Sequence, residues 1–157
     1  TLAIQAAKLG ITTESTDSYD DIFFRIFLSK IESALGFPCP VFLYDYPANM
    51  AALARLKPGD PRFAERFELY IGGLELANAY GELCDSQEQR IRFERETAER
   101  QARGKTIFPI DERLLAELEK IGQASGIALG VDRLAMILSG AGHLSETLAF
   151  GADELFD

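Results

Sequence analysis

Apolar positions recur along this chain with two different periods, and the switches between them mark its elements. From residue 19 to 35, Ile22, Phe23, Ile26, Phe27, Ile31 and Leu35 follow helical spacing, after a polar connector (12–18) rich in capping residues, and Gly36 ends the run. The aromatic residues of that stripe read as core rather than as a ligand platform. Residues 37–40, Phe-Pro-Cys-Pro, break the pattern, and 41–46 follow as a buried strand closed by Pro47. After a turn-rich loop at 57–61, a strand over 63–71, a Gly72-Gly73 turn and a second strand to about residue 83 form a hairpin. A glycine pair suits a two-residue turn because its central positions need positive φ.

Asp85-Ser-Gln-Glu88 predicts a capping box, with Asp85 as cap and Glu88 reaching back, at the start of a charged helix over 86–103 that Gly104 stops. Its charges read as a solvated face laced with local ion pairs. A shorter amphipathic helix is expected over 111–121 with Leu114, Leu115 and Leu118 inward, then a strand over 126–131 and a helix over 132–138. Strands joined mostly by turns, with helices to one side, predict an α+β fold: an antiparallel sheet flanked by helices, as one domain over 1–157.

Bulk properties narrow the function classes. Apolar residues make up 47% and charged residues 26%, an ordinary balance for a soluble globular chain. No apolar run approaches the ~20 residues of a membrane helix. The chain opens without Met and without a basic segment ahead of its apolar residues, so a piece of a longer protein is expected rather than a signal peptide. Cys39 and Cys84 are isolated, which argues against a disulfide framework or zinc site and for reduced thiols in the cytoplasm. His143 is the only histidine, leaving little basis for Ser-His-Asp or Cys-His catalysis. A net charge of -9, with Lys and Arg interleaved among acids, argues against a nucleic-acid clamp.

The hairpin carries the candidate chemistry. With a two-residue turn at Gly72-Gly73, Tyr70 faces Glu75, and Glu68 becomes the diagonal neighbour of Glu75 on one face. Two such carboxylates repel unless the face is wet or a cation lies between them, and oxygen ligands of this kind suit Mg²⁺ shared with substrate phosphates. A polar, solvated sheet face is the plainer alternative. Asn78, Tyr80 and Glu82 alternate along the second strand, opposite Glu75 in a simple pleat unless a bulge falls between 75 and 78. An amide, a phenol and a carboxylate together suit an ammonium group on an apolar stem; the alternative is an ordinary solvent-facing alternation.

In Gly126-Ile-Ala-Leu-Gly-Val131, the small residues Gly126, Ala128 and Gly130 fall on one strand face, which a flat ligand or a neighbouring backbone could approach closely. The next helix opens with Asp132-Arg133, whose guanidinium and terminal amides could address phosphate oxygens. Close packing, with Arg133 paired to an acid, is the other reading.

These two blocks, in this order and about forty residues apart, resemble the last third of a class II aminoacyl-tRNA synthetase catalytic domain of the lysyl kind. The similarity runs from about residue 40 to 150 and also takes in Tyr46-Pro-Ala48, Leu53-Ala-Arg55 and Glu82-Leu-Cys-Asp-Ser-Gln-Glu-Gln89 with Arg92-Phe93. The resemblance implies a partial class II catalytic fold with motif 3 at 126–138. It implies that Arg133 grips the triphosphate of ATP, as a catalytic residue, and that Gly130 lies beside the adenosine. Glu68 and Glu75 become ligands of Mg²⁺ and ATP, while Asn78, Tyr80 and Glu82 hold lysine.

Within the family, Ala128, where the synthetases proper tend to have Gly, and Leu74-Glu-Leu-Ala-Asn78 are closer to the branch that attaches a lysine-type residue to elongation factor P. A smaller pocket floor at Ala128 would favour a β-amino isomer of lysine. Ala79, where Gly is usual, and Tyr80, where Phe is usual, depart from the pattern. Motifs 1 and 2 do not occur in these residues. The expectation is therefore a ligase, homodimeric at full length and inactive as this piece alone, that forms lysyl-adenylate and passes the lysyl group to elongation factor P. Transfer to tRNA is the alternative within the family, and a non-catalytic amino-acid-binding or assembly module is the alternative outside it.

Overall fold

The structure is a computed structural model describing residues 1–151. Its strands are β1 (Val41–Pro47), β2 (Leu56–Lys57), β3 (Asp60–Ile71), β4 (Leu74–Gly81) and β5 (Ser125–Leu129). They form one sheet in the order β1-β3-β4-β5, with β2 pairing antiparallel to β3 off that path. The helices are α1 (Leu2–Lys8), α2 (Tyr19–Ile26), α3 (Ser86–Ala102), α4 (Glu112–Ile121) and α5 (Val131–Ser139). This is the α+β class that the periodicity predicts. No helix among the described residues is long and apolar enough to cross a membrane.

The residues group into two compact units, and β3 and β4 each contribute to both. The first comprises Thr1–Leu43, Phe67–Asn78 and the described residues from Ala128 on. Ser18 caps α2 through a full capping box with Asp21, and Ile22 and Ile26 pack with Ala6 of α1. Past Ile26 the helix widens into a π-turn over Phe27–Ile31 and tightens into a 3₁₀ turn over Glu32–Ala34. The extra residue of a π-turn rotates the succeeding residues off the apolar face. Phe27 is buried, whereas Ile31, expected in the core, is exposed. Phe23 stacks on Phe27 at 5.7 Å and Phe27 meets Tyr70 edge-on at 6.2 Å, so the aromatic stripe is core.

The second unit comprises Tyr44–Arg66 and Ala79–Ile127. Its small core is Ala51, Ala54 and Ala64, with Leu56 and Tyr80 packed against it. Asp85 caps α3 by accepting from the Gln87 and Glu88 amides, but the Glu88 carboxylate accepts from Arg92 Nε at 2.9 Å, an i,i+4 pair taking the place of the expected box. Asp111 caps α4 in the same way. Of the leucines expected inward on α4, Leu115 is buried, Leu118 is half-buried and Leu114 is exposed.

Candidate active site

In the first unit, Gly72 (φ 59°) and Gly73 (φ 81°) make the expected two-residue turn, both in the left-handed region that hairpin turns of this type require. Glu68 on β3 is buried, an unusual place for a carboxylate, and two side chains hold it. The Tyr70 hydroxyl donates to Oε2 at 2.6 Å, and the Asn78 amide donates to Oε1 at 3.2 Å. Burial, then the hydrogen bond to Glu68, then the charges of Glu68, Glu75 and Glu32, push the Tyr70 hydroxyl far above the ordinary phenol range. Tyr70 is therefore a fixed donor, and the charge of Glu75 reaches the same hydroxyl.

The contact between Asn78 and Glu68 corrects the flat register. Tyr70 opposite Glu75 would put Asn78 on the other face of the sheet from Glu68. The structure instead joins Glu68 to Asn78, and in the second unit Arg66 to Tyr80 and Glu65 to Gly81. These pairs are offset by one residue from that register. Leu76 and Ala77, adjacent in sequence, are both buried, which interrupts the alternation at the place where a bulge was required. The Asn78 side chain thereby shares a face with Glu68. Its Oδ1 is buried with no hydrogen-bond partner.

The start of α5 meets the hairpin in the first unit. The Gly130 amide donates to the Leu76 carbonyl at 2.9 Å, and Arg133 Nη1 donates to the Glu75 carbonyl at 2.5 Å. Arg133 and Ala128 are exposed. Gly130 does not extend the small strand face, because β5 ends at Leu129 and Gly130 is the N-cap of α5. The helix that begins there needs an extended, non-helical residue, which ends the pleat one position early.

In the second unit, Glu82 continues β4 through a bridge to Ala54, and its amide donates to the Ala124 carbonyl at 3.0 Å. A Cβ on Gly126 would collide with the Glu82 carboxylate, so the glycine makes room for that side chain. Tyr80 is half-buried under the Arg66 guanidinium, which lies 5.5 Å from its ring and 4.3 Å from that of Tyr46. An open pocket of about 590 Å³ in this unit is lined by Arg55, Glu82, Cys84, Asp85 and Glu119, among others.

Sequence reasoning missed the support around these residues: Tyr70 behind Glu68, Arg66 on Tyr80, and Arg92 beneath the segment that pairs with Glu82. Arg66, Glu68 and Tyr70 alternate along β3, a signal that a shared face carried more than carboxylates.

A family model described as tRNA synthetases class II (D, K and N) matches residues 25–154. Among curated proteins, the chain is similar to the elongation factor P–(R)-β-lysine ligases of Proteus mirabilis and Vibrio vulnificus, each 45% identical over 148 residues. It is similar also to that of Klebsiella pneumoniae, 44% identical over 151 residues. These alignments cover 92–94% of the chain but 46% of each relative, so the chain spans about half the length of the curated relatives it matches.

Proposed function

The chain belongs to the class II tRNA synthetases of the D, K and N group, and from that premise we propose that the complete protein activates a lysine-type amino acid with ATP and transfers it to elongation factor P. In this reading a carboxylate oxygen of the amino acid attacks the α-phosphorus of ATP and the bond to pyrophosphate breaks. An amine of the acceptor then displaces AMP from the acyl carbon, losing a proton as the amide forms. The similarity to (R)-β-lysine ligases supports the β-amino isomer as the amino acid, with Ala128 at the pocket floor.

The first unit carries the nucleotide set: Glu68, Glu75, Gly130 and Arg133. The observation that carries the reading is the Arg133 bond to the main chain of Glu75, which sets a guanidinium of the kind suited to phosphate beside the strand that carries Glu75. Among the described residues no three acidic, Cys or His side chains gather into an all-protein metal site. Glu68 on β3 and Glu75 on β4, both in the first unit, suit instead a Mg²⁺ shared with phosphates. Glu68 and Glu75 would hold that ion, which supplies charge neutralisation to the triphosphate. Each unit carries residues suited to the amino acid: in the first, Asn78, whose buried Oδ1 has no hydrogen-bond partner, suits an ammonium donor, and in the second Tyr80 suits an aromatic wall and Glu82 a counter-charge. We place the complete protein in the cytoplasm as a homodimer.

The test is lysine-dependent and β-lysine-dependent pyrophosphate exchange by the complete gene product, followed by acceptor assays with elongation factor P and with tRNA. Exchange with transfer to elongation factor P is the expected result. Transfer to tRNA alone would make it a tRNA ligase, and no exchange with either amino acid would overturn the reading.

A further inference from the structure

The proposed counter-charge depends on where the Glu82 main chain lies, and one cation outside the residues proposed for binding is bonded to the neighbouring segment. Glu82 sits in a narrow bridge: the Arg55 amide donates to the Gly81 carbonyl at 2.8 Å and the Leu83 amide donates to the Leu53 carbonyl at 2.9 Å. The segment on the other side of that bridge, 51–55, is short and irregular. It contains Ala52 at φ 51°, a left-handed conformation that is strained for an alanine and persists only where its surroundings enforce it.

Arg92 of α3 supplies the enforcement. Its Nη1 donates to the carbonyl of Ala52 at 3.0 Å and to that of Ala54 at 2.8 Å, so a single nitrogen closes the strained turn from both ends. Nε of the same guanidinium donates to Glu88 one turn earlier on α3, which fixes the plane of the fork. The Arg92 side chain is 16% exposed and Ala54 is fully buried, so water replaces the bond to Ala54 poorly. On the far side, the Glu82 amide is tied to Ala124, and the carboxylate occupies the space left by Gly126. The route from cation to carboxylate runs through contiguous hydrogen bonds within one compact unit: Arg92, the 52–54 carbonyls, the bridge, Glu82.

We propose that Arg92 is a positioning residue for amino-acid binding: by clamping the strained 52–54 turn it fixes the strand to which Glu82 is bridged, and so places the counter-charge for the substrate ammonium. This inference rests on the proposed function. Glu88, which orients the guanidinium, is its auxiliary.

The test uses the complete protein with Arg92→Lys, Arg92→Ala and Glu88→Gln. A lysine keeps the charge but, with one ammonium on a flexible stem, does not reproduce a planar fork held by Glu88. Pyrophosphate exchange is expected to show KM for the amino acid raised about tenfold or more in Arg92→Ala, with a smaller rise in Arg92→Lys and Glu88→Gln. KM for ATP should stay within about twofold in all three. Amide hydrogen exchange of residues 53–55 and 82–83 should accelerate in the same order, a readout independent of activity. Equal rises in both KM values, or an unchanged KM for the amino acid, would overturn the proposal. Unchanged exchange at 82–83 would overturn it even where activity falls. Should Arg92→Ala fail to fold, the other two variants decide by the same criteria. A wild-type protein that activates neither lysine isomer removes the functional premise, whereas the exchange data still report whether Arg92 holds the bridge.

Discussion

A carboxylate as buried as Glu68 needs a partner whose protonation does not drift, and Tyr70 is that partner. Its hydroxyl, buried and bonded to Glu68, keeps its proton well above the pH at which an exposed tyrosine loses it. The linkage has a definite sign. The folded pKa lies above the unfolded value of about 10, so the stabilisation is fully present below pH 10. Above it the unfolded state releases a proton that the folded state retains. Stability should then fall by about 1.4 kcal/mol per pH unit from this group alone. Tyr70→Phe removes that dependence and costs about 1–2 kcal/mol at neutral pH by leaving Glu68 one donor short. Urea unfolding of both proteins between pH 8 and 11 checks this. The difference between them should shrink above pH 10, and a constant difference contradicts the assignment.

At the scale of elements, the hairpin shows what the sequence could and could not convey. The Gly72-Gly73 turn was legible because positive φ at both positions leaves a residue signature. The one-residue offset that brings Asn78 to Glu68 was not. It arises in the 75–78 stretch, where Glu-Leu-Ala-Asn has no glycine or proline to announce an irregularity. The π-turn after Ile26 was hidden similarly, since Phe-Leu-Ser-Lys-Ile is consistent with an unbroken helix. A third device reads as a helix stop in the sequence and proves to be a packing contact. Gly36 has φ 80°, and a Cβ there would lie 2.7 Å from Ile71 Cα, Ile71 N and the Tyr70 carbonyl oxygen, all backbone. Its own carbonyl and that of Leu35 accept from the Gly72 and Gly73 amides, so the helix end and the hairpin turn are one joint. Gly72, by contrast, has only Phe37 at 3.8 Å. Gly72→Ala should therefore cost about 1–2 kcal/mol, the conformational term alone. Gly36→Ala should cost more than about 3 kcal/mol, because β3 must also move. Denaturant midpoints of the two variants test this ranking, and equal losses would refute the joint.

At the scale of the whole molecule, the segment that carries Arg133 lies largely uncovered. No residue of β5 or α5 is buried, and Val131 and Leu138 are 68% and 78% exposed. The α5 sequence nevertheless alternates as a helix with an apolar face, and the Arg133 side chain it carries reaches the hairpin. An element bare on its apolar side calls for covering surface, and this chain spans about half the length of the curated relatives it matches. In the proposed reading, adenylation also needs a donor to the charge that develops on the α-phosphate, and the family resemblance implies that a motif 2 arginine outside residues 1–157 would supply it. Purified as residues 1–157, the protein should give no lysine-dependent pyrophosphate exchange and should bind an apolar dye strongly. The complete gene product should do the reverse. Val131→Glu with Leu138→Lys should lower dye binding by residues 1–157 without restoring exchange, and should weaken the complete protein. Exchange by residues 1–157 alone would show that the arginine role is filled from within this chain.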